Sequence, residues 1–193
     1  MTSDLDAMLS RHVYTVTETY LPAIEGNILE IGAFNGAGTA YIAQKFPDRI
    51  VYTIDPFIED GYTVSASDKT QGEIMTSQRD NFIANTKDLS NVVLFETTSK
   101  DFLNICTQQM VDEMNISWVI IDGSHHYDDV IIDSELAIKV FESRSGVVVF
   151  DDLEHIGVRR AYHEFMCKYA ERHSAMNEMF IEGIARVVRL NPL

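Results

Sequence analysis

The sequence has few cysteines, few basic residues and no long apolar run. Cys106 and Cys167 are its only cysteines and lie far apart, which excludes a disulfide-rich scaffold and a multi-cysteine metal site. Lys and Arg number 15 against 30 Asp and Glu, a net charge of −15, so general binding to nucleic acid or to an anionic membrane is disfavoured. No apolar run reaches membrane-spanning length, and the acidic N-terminus lacks the pattern of a secretion signal. We therefore expect a soluble, cytoplasmic protein with two free thiols, no nucleic-acid partner and no membrane partner.

Internal repeats, low-complexity tracts and linkers rich in proline or glycine are also missing from the sequence. Its 193 residues, 46% of them hydrophobic, are typical of one globular domain with a well-buried core. We therefore expect a single domain over residues 1–193. The sequence leaves the oligomeric state open, with a homodimer among the options.

Short apolar strands alternate with amphipathic helices along the chain. The predicted strands that open this pattern cover residues 27–31, 50–54, 92–96, 118–122 and 146–150. Nearly all of their residues are apolar, as in parallel strands that are covered on both faces. The helices are predicted at residues 38–46, 72–88, 100–110, 128–141 and 158–172.

Two further strands are predicted at the end of the chain, over residues 176–181 and 184–190. The Glu182-Gly183 link between them is short enough only for a hairpin. The whole pattern predicts an α/β, Rossmann-like fold. It has a seven-stranded, mostly parallel sheet, helices on both faces and a C-terminal antiparallel hairpin.

A glycine-rich turn follows the first predicted strand, with Gly32, Gly36 and Gly38 in the spacing G-x-x-x-G-x-G. This spacing differs from the G-x-G-x-x-G pattern of dinucleotide-binding turns. Glu30 would repel a pyrophosphate and suits a cationic group such as an ammonium. Asp55 ends the second strand, where a carboxylate can accept both protons of a ribose diol. These features predict a nucleoside cofactor. The alternative is that the glycines serve only a tight turn and that Asp55 caps it.

The segment Glu30-Ile-Gly32-Ala-Phe34-Asn-Gly36 resembles motif I of class I S-adenosylmethionine-dependent methyltransferases. Many members have glycine where this chain has Phe34, and an aromatic residue there is similar to the catechol O-methyltransferase branch. Residues 97–101 follow the third strand, where the family lines its adenine pocket, and Ser99 is the residue that the resemblance places there. The resemblance implies that S-adenosylmethionine is held by Glu30, Gly32, Ala33, Phe34, Gly36, Thr39, Asp55, Ser99 and Asp122.

Acidic residues end the fourth and fifth predicted strands. Asp122 ends the fourth, and Asp151 and Asp152 follow the fifth. Because neighbouring parallel strands end at the same edge of a sheet, we expect these carboxylates to converge. They would repel one another unless a cation neutralised them, and oxygen ligands favour Mg²⁺, with Mn²⁺ or Ca²⁺ as alternatives. The alternative is that Asp151 and Asp152 cap the next helix and that Asp122 binds a backbone amide.

A histidine follows Asp122 by three residues, on the loop that would face the metal. The near-neutral pKa of a histidine suits His125 to act as general base on a hydroxyl that the metal has acidified. His126 is the alternative base, or it contacts the cofactor or caps the turn.

The run Asp122-Gly-Ser-His125-His-Tyr127, together with the acid pair Asp151-Asp152, resembles the metal-dependent sugar O-methyltransferases of macrolide and aminocoumarin biosynthesis. It is also similar to the cephalosporin-hydroxylase-like proteins. This resemblance implies that the three acids bind Mg²⁺ and that His125 is the base.

Together these features predict an S-adenosylmethionine-dependent, Mg²⁺-dependent O-methyltransferase. Its acceptor is predicted to be a hydroxyl of a small molecule, such as a sugar or a polyphenol-like diol. Two alternatives stay open, an S-adenosylmethionine-binding protein without transferase activity and a metal-dependent hydrolase on the same fold. The polar segment 57–79 is the expected lid over the site.

Overall fold

Five parallel strands form the centre of the protein. The computed structural model describes residues 19–57, 71–170, 178–181 and 185–190. The parallel strands are β1 (Asn27–Ile31), β2 (Val51–Ile54), β3 (Val92–Phe95), β4 (Ile116–Ile121) and β5 (Gly146–Phe150). β4 and β5 are buried along their whole length, because helices cover both faces of the sheet. The predicted α/β, Rossmann-like class with a parallel sheet is confirmed.

Two further strands, β6 (Glu178–Ile181) and β7 (Ala185–Leu190), extend the sheet in the order β3-β2-β1-β4-β5-β7-β6. β7 pairs antiparallel with both β5 and β6. The Glu182-Gly183 link, on which the prediction of a hairpin depends, lies outside the described residues. So do residues 58–70 of the predicted lid. The strand order changes direction between β1 and β4, and ligands of open α/β sheets bind at such a switch point.

Six helices pack on the described parallel sheet. They are α1 (Ala37–Lys45), α2 (Gln71–Thr86), α3 (Ser99–Ile105), α4 (Gln108–Met114), α5 (Tyr127–Val140) and α6 (Ile156–Ala170). Residues of α1 pack on one face, with Ile28 and Trp118 of the sheet. Residues of α3 to α6 pack on the other face, with Leu29 and Val119. Within the described part of the chain, none of these helices is long and apolar enough to cross a membrane.

The single helix predicted over residues 100–110 was wrong, because the chain forms two short helices there. α3 ends at Ile105 and α4 begins at Gln108. The hydroxyl of Thr107 accepts a hydrogen bond from the Met110 amide over 3.2 Å and so caps a new helix. Thr98 caps α3 in the same way through Asp101. A threonine three residues before a free amide is a favourable N-cap, and it ends the preceding helix.

Replacement of a buried helix residue tests this packing. Leu136 of α5 is fully buried in the core, so Leu136→Ala should lower the free energy of unfolding by about 2–5 kcal/mol. Ile105 is also apolar but is 64% exposed, so Ile105→Ala should change that energy by less than about 0.5 kcal/mol. Urea unfolding followed by circular dichroism measures both. Equal effects of the two substitutions would contradict the assignment of α5 to the core.

Candidate functional site

The turn after β1 is held by the carboxylate of Asp55. Its Oδ2 accepts hydrogen bonds from the amides of Ala33 and Phe34 over 2.8 and 2.9 Å, and its Oδ1 accepts one from Phe57 over 2.9 Å. Phe34 and Phe57 have φ angles of 49° and 44°, which are unfavourable for side chains of this size. Burial raises the pKa of Asp55, and these three bonds act in the opposite sense. Asp55 therefore holds a strained turn, as the alternative interpretation proposed, and its role in ribose binding stays a prediction.

Gly32 brings the turn after β1 against the loop after β4. Its φ is 93°, and a Cβ atom at this position would lie 2.2 Å from the backbone oxygen of Asp122. No side chain can be accommodated at that distance. This backbone contact joins the predicted cofactor turn directly to the first of the predicted metal ligands.

Glu30 lies beneath the same turn and is only 5% exposed. The hydroxyl of Thr39, in α1, donates a hydrogen bond to its carboxylate. Burial raises the pKa of Glu30 to about 7, whereas the hydrogen bond from Thr39 lowers it and the negative charge of Asp55 raises it. A nearby positive charge would restore the ionised form. The structure thus brings together two predicted cofactor residues, Glu30 and Thr39, in a position that favours a cationic ligand.

The three predicted metal ligands and the predicted base line one small cavity at the ends of β4 and β5. Its volume is about 10 Å³, which is about the space of one water molecule or ion. The side chains around it are mostly polar and include four of the predicted site residues. The lining consists of Ile121, Asp122, Gly123, Ser124, His125, Val130, Asp151, Asp152 and Val158. His126 is not part of this lining, which favours His125 of the two candidate bases.

The electrostatics of this cavity favour a cation. Asp122 is surrounded by many protein atoms yet keeps an exposed surface, as expected of a residue on the floor of an open cleft. Burial among those atoms raises its pKa well above the ordinary value, and the charges of Asp151, Asp152 and Glu30 raise it further. Asp151 is only 1% exposed. An oxygen-binding cation in the cavity would relieve this repulsion.

His125 and Asp152 form a hydrogen-bonded pair at the rim of the cavity. His125 Nε2 lies 2.8 Å from Asp152 Oδ2, and the two side chains are 44% and 28% exposed. The bond to Asp152 raises the pKa of His125 and lowers that of Asp152. Because a carboxylate only accepts, Nε2 carries the proton of this bond, and Nδ1 is the basic nitrogen of the neutral ring.

The backbone around this pair is also constrained. Asp152 has a φ of 56°, in the left-handed region that side chains rarely adopt. A Cβ atom at Gly157, in the first turn of α6, would lie 2.2 Å from the backbone oxygen of His125. The start of α6 therefore rests directly on the loop that carries His125. The ring of His155 also stacks on that of His125, with 4.0 Å between centroids.

Ser99 is the first residue of α3 and forms a side-chain hydrogen bond with Asp133 of α5. Burial raises the pKa of Asp133 to about 7, and the bond from Ser99 acts in the opposite sense. The contact of Ser99 with adenine stays a prediction. Sequence reasoning missed Asp133, although the signal was present. It lies three residues after Val130 and four before Ala137, on the buried face of the helix.

Comparison with known proteins identifies the class of this chain. Residues 29–153, well over half of the chain, match a family model described as a methyltransferase domain. The chain belongs to this family and is a methyltransferase. Membership supports S-adenosylmethionine as the cofactor and disfavours the metal-dependent hydrolase. No curated protein sequence matches the chain.

Several solved structures share the fold. A putative caffeoyl-CoA O-methyltransferase from Staphylococcus aureus is 15% identical with a TM-score of 0.64, and the match covers 98% of this chain and 88% of that one. CalS11, a TDP-rhamnose 3'-O-methyltransferase of calicheamicin biosynthesis, is 16% identical with a TM-score of 0.60, covering 97% and 84%. TrmK from M. capricolum, in complex with S-adenosylhomocysteine, is 12% identical with a TM-score of 0.52, covering 96% and 69%. At these identities the likeness concerns the fold.

The raised pKa of Glu30 predicts a pH-dependent penalty on folding. The pKa is about 7 in the folded protein against 4.5 ordinarily, so stability should be lost as the pH rises from 4.5 through 7. Glu30→Gln removes the ionisable group. The variant should match the wild type at pH 4.5 and exceed its free energy of unfolding at pH 8 by on the order of 3 kcal/mol. Urea unfolding at both pH values measures this, and a difference that is the same at pH 4.5 and pH 8 would contradict it.

Proposed function

We propose that this methyltransferase transfers the methyl group of S-adenosylmethionine to a hydroxyl oxygen of a small molecule with the help of a divalent cation. Mg²⁺ is the first candidate for that cation. One observation carries the proposal. An ion-sized cavity lined by Asp122, Asp151, Asp152 and His125 adjoins the cofactor turn through the backbone contact between Gly32 and Asp122.

Acidic side chains at the strand ends support binding of a positively charged cofactor. Glu30, Asp55 and Asp122 end three neighbouring strands, and each has a raised pKa because burial disfavours its charge. S-adenosylmethionine, when bound, supplies an electrophilic methyl on a sulfonium cation and also carries an ammonium group. Glu30 would serve the cationic end of the cofactor, and the turn that Asp55 holds would present Phe34 beside it. Ser99 is the proposed adenine contact.

The fit of a cation rests on the size and the donors of the cavity. Asp122, Asp151 and Asp152 would hold it, because carboxylate oxygens are the donors that Mg²⁺ prefers. When bound, the ion would lower the pKa of a coordinated hydroxyl and neutralise negative charge. The carboxylates would also fix where the acceptor oxygen lies relative to the cofactor turn. Positioning of two reactants can contribute about 7–11 kcal/mol to catalysis.

His125 is the proposed general base. Its Nε2–H donates to Asp152, which keeps the ring in one orientation and leaves Nδ1 to accept the proton of the acceptor hydroxyl. Removal of that proton would prepare the acceptor oxygen to take the methyl group that S-adenosylmethionine supplies when bound. Asp152 stabilises the positive charge that forms on the ring, as the carboxylate of a catalytic triad does.

The acceptor we propose is a diol, either on a sugar or on a polyphenol, because two adjacent oxygens can bind one ion. The net charge of −15 disfavours a nucleic-acid acceptor.

Substitution of one metal ligand separates the two halves of the site. Asp151→Asn should lower Mg²⁺-dependent transfer at least about 100-fold, because the cavity loses a charged donor. Cofactor affinity, measured by isothermal titration, should stay within about threefold, because Asp151 is not part of the cofactor turn.

The matched control is Asp128→Asn, which removes an exposed acid from the first turn of α5 and should leave transfer unchanged. Full turnover of Asp151→Asn, or of the wild type in excess chelator, would refute the role of the metal.

The pH profile tests the base. His125→Ala should lower kcat/KM by about 10²–10⁴ and remove the acidic limb of the profile. In the metal-free protein the hydrogen bond to Asp152 raises the pKa of His125, whereas a cation held by Asp152 should lower it, so the limb should move to lower pH when Mg²⁺ saturates the enzyme. His126→Ala, at the neighbouring position, should keep both the rate and the limb. If His126→Ala loses the limb and His125→Ala keeps it, the assignment must be exchanged.

A further inference from the structure

The cavity lined by Asp122, Asp151 and Asp152 is called the three-acid cavity below. A second group of ligand atoms shares Asp152 with it. His125, Asp152 and His155 each offer one ligand atom, and these three atoms lie within 4.8 Å of one another. His125 and Asp152 are already in contact over 2.8 Å. The imidazole ring of His155 faces that of His125. The lining of the three-acid cavity does not include His155, and the proposed transfer reaction does not use it.

The spacing of these atoms is close to that of ligands on one metal ion. Zinc lies about 2.0–2.2 Å from nitrogen and carboxylate oxygen ligands in a tetrahedral arrangement, so two ligands of one ion are about 3.4 Å apart when their bonds are near 2.1 Å. The widest separation in the group therefore has to close by up to about 1.4 Å, the difference between 4.8 and 3.4 Å. The stacked rings must also turn, because an ion lies in the plane of the ring that binds it. Both histidines are exposed, so this rotation is not blocked by core packing.

The donors determine which ions suit the group. Two imidazole nitrogens and one carboxylate favour zinc, cobalt, nickel and related transition-metal ions, whereas Mg²⁺ prefers oxygen alone. The three-acid cavity and this group therefore select different ions, although both need Asp152.

We propose that His125, Asp152 and His155 bind a transition-metal dication of the zinc class. The His125 imidazole and the Asp152 carboxylate would then both be engaged in coordinating this ion. This inference rests on the proposed function. The site is inhibitory, because an ion bound there occupies both the general base and one of the Mg²⁺ ligands that methyl transfer needs. Zinc-class ions and Mg²⁺ would then compete for the enzyme through Asp152.

Metal titration of the full chain tests the site without cofactor or acceptor. Co²⁺ added to metal-free protein should give visible absorption bands stronger than those of the hydrated ion, because nitrogen ligands change its coordination. Zn²⁺ affinity is measured by isothermal titration. His155→Gln should weaken Zn²⁺ binding at least about tenfold. His163→Gln, which removes an exposed histidine within α6, is the matched control and should bind Zn²⁺ as the wild type does.

In transfer assays, His155→Gln should keep Mg²⁺-dependent turnover and resist inhibition by Zn²⁺. Equal Zn²⁺ affinity of His155→Gln and the wild type, or equal weakening by both histidine substitutions, would overturn the site. Failure of the proposed function is distinguishable. Zn²⁺ binding that depends on His155, with no methyl transfer under any ion, would keep the metal site and reject the transfer reaction.

Discussion

Repulsion between carboxylates at one edge of the sheet is the constraint on which the rest of the site depends. Neighbouring parallel strands end together at one edge of the sheet, and this chain places Glu30, Asp55, Asp122 and Asp151 there. Burial disfavours the charge of the first three and so raises the pKa of each. A fold that only needed stability would not concentrate these groups, since buried charges without a counter-ion are unfavourable. The arrangement becomes favourable when positive ligands are present, and both the cofactor and the cation supply positive charge.

The same edge also holds the backbone in unfavourable conformations. Phe34, Phe57 and Asp152 all have positive φ angles, and all three belong to the loops that follow β1, β2 and β5. Strain of this kind costs about 1–3 kcal/mol at each residue and persists only where neighbouring contacts enforce it. Asp55 provides those contacts for two of the loops by binding the amides of Phe34 and Phe57. One buried carboxylate thus fixes the shape of the turn that is proposed to hold the cofactor.

The fold class and the positions of several candidate site residues could be predicted from the sequence, because they depend on periodic patterns. Apolar runs identify buried strands, and acids at the ends of neighbouring strands must converge once the strands are parallel. The cavity that contains Asp122, Asp151 and His125 follows from this geometry. The break between α3 and α4 was not predicted, because it depends on one capping hydrogen bond that the Thr107 hydroxyl accepts from the Met110 amide. The stacking of His155 on His125 depends on how α6 begins, and no periodic pattern contains that information.

Gly32 and Gly157 have a consequence for the evolution of this family. At each position a side chain would collide with a backbone oxygen, that of Asp122 or that of His125, so neither glycine can change without moving a loop. Relatives that keep this backbone are therefore expected to retain both glycines, whatever ion or acceptor they use. The architecture of the site would then outlast any particular chemistry performed in it.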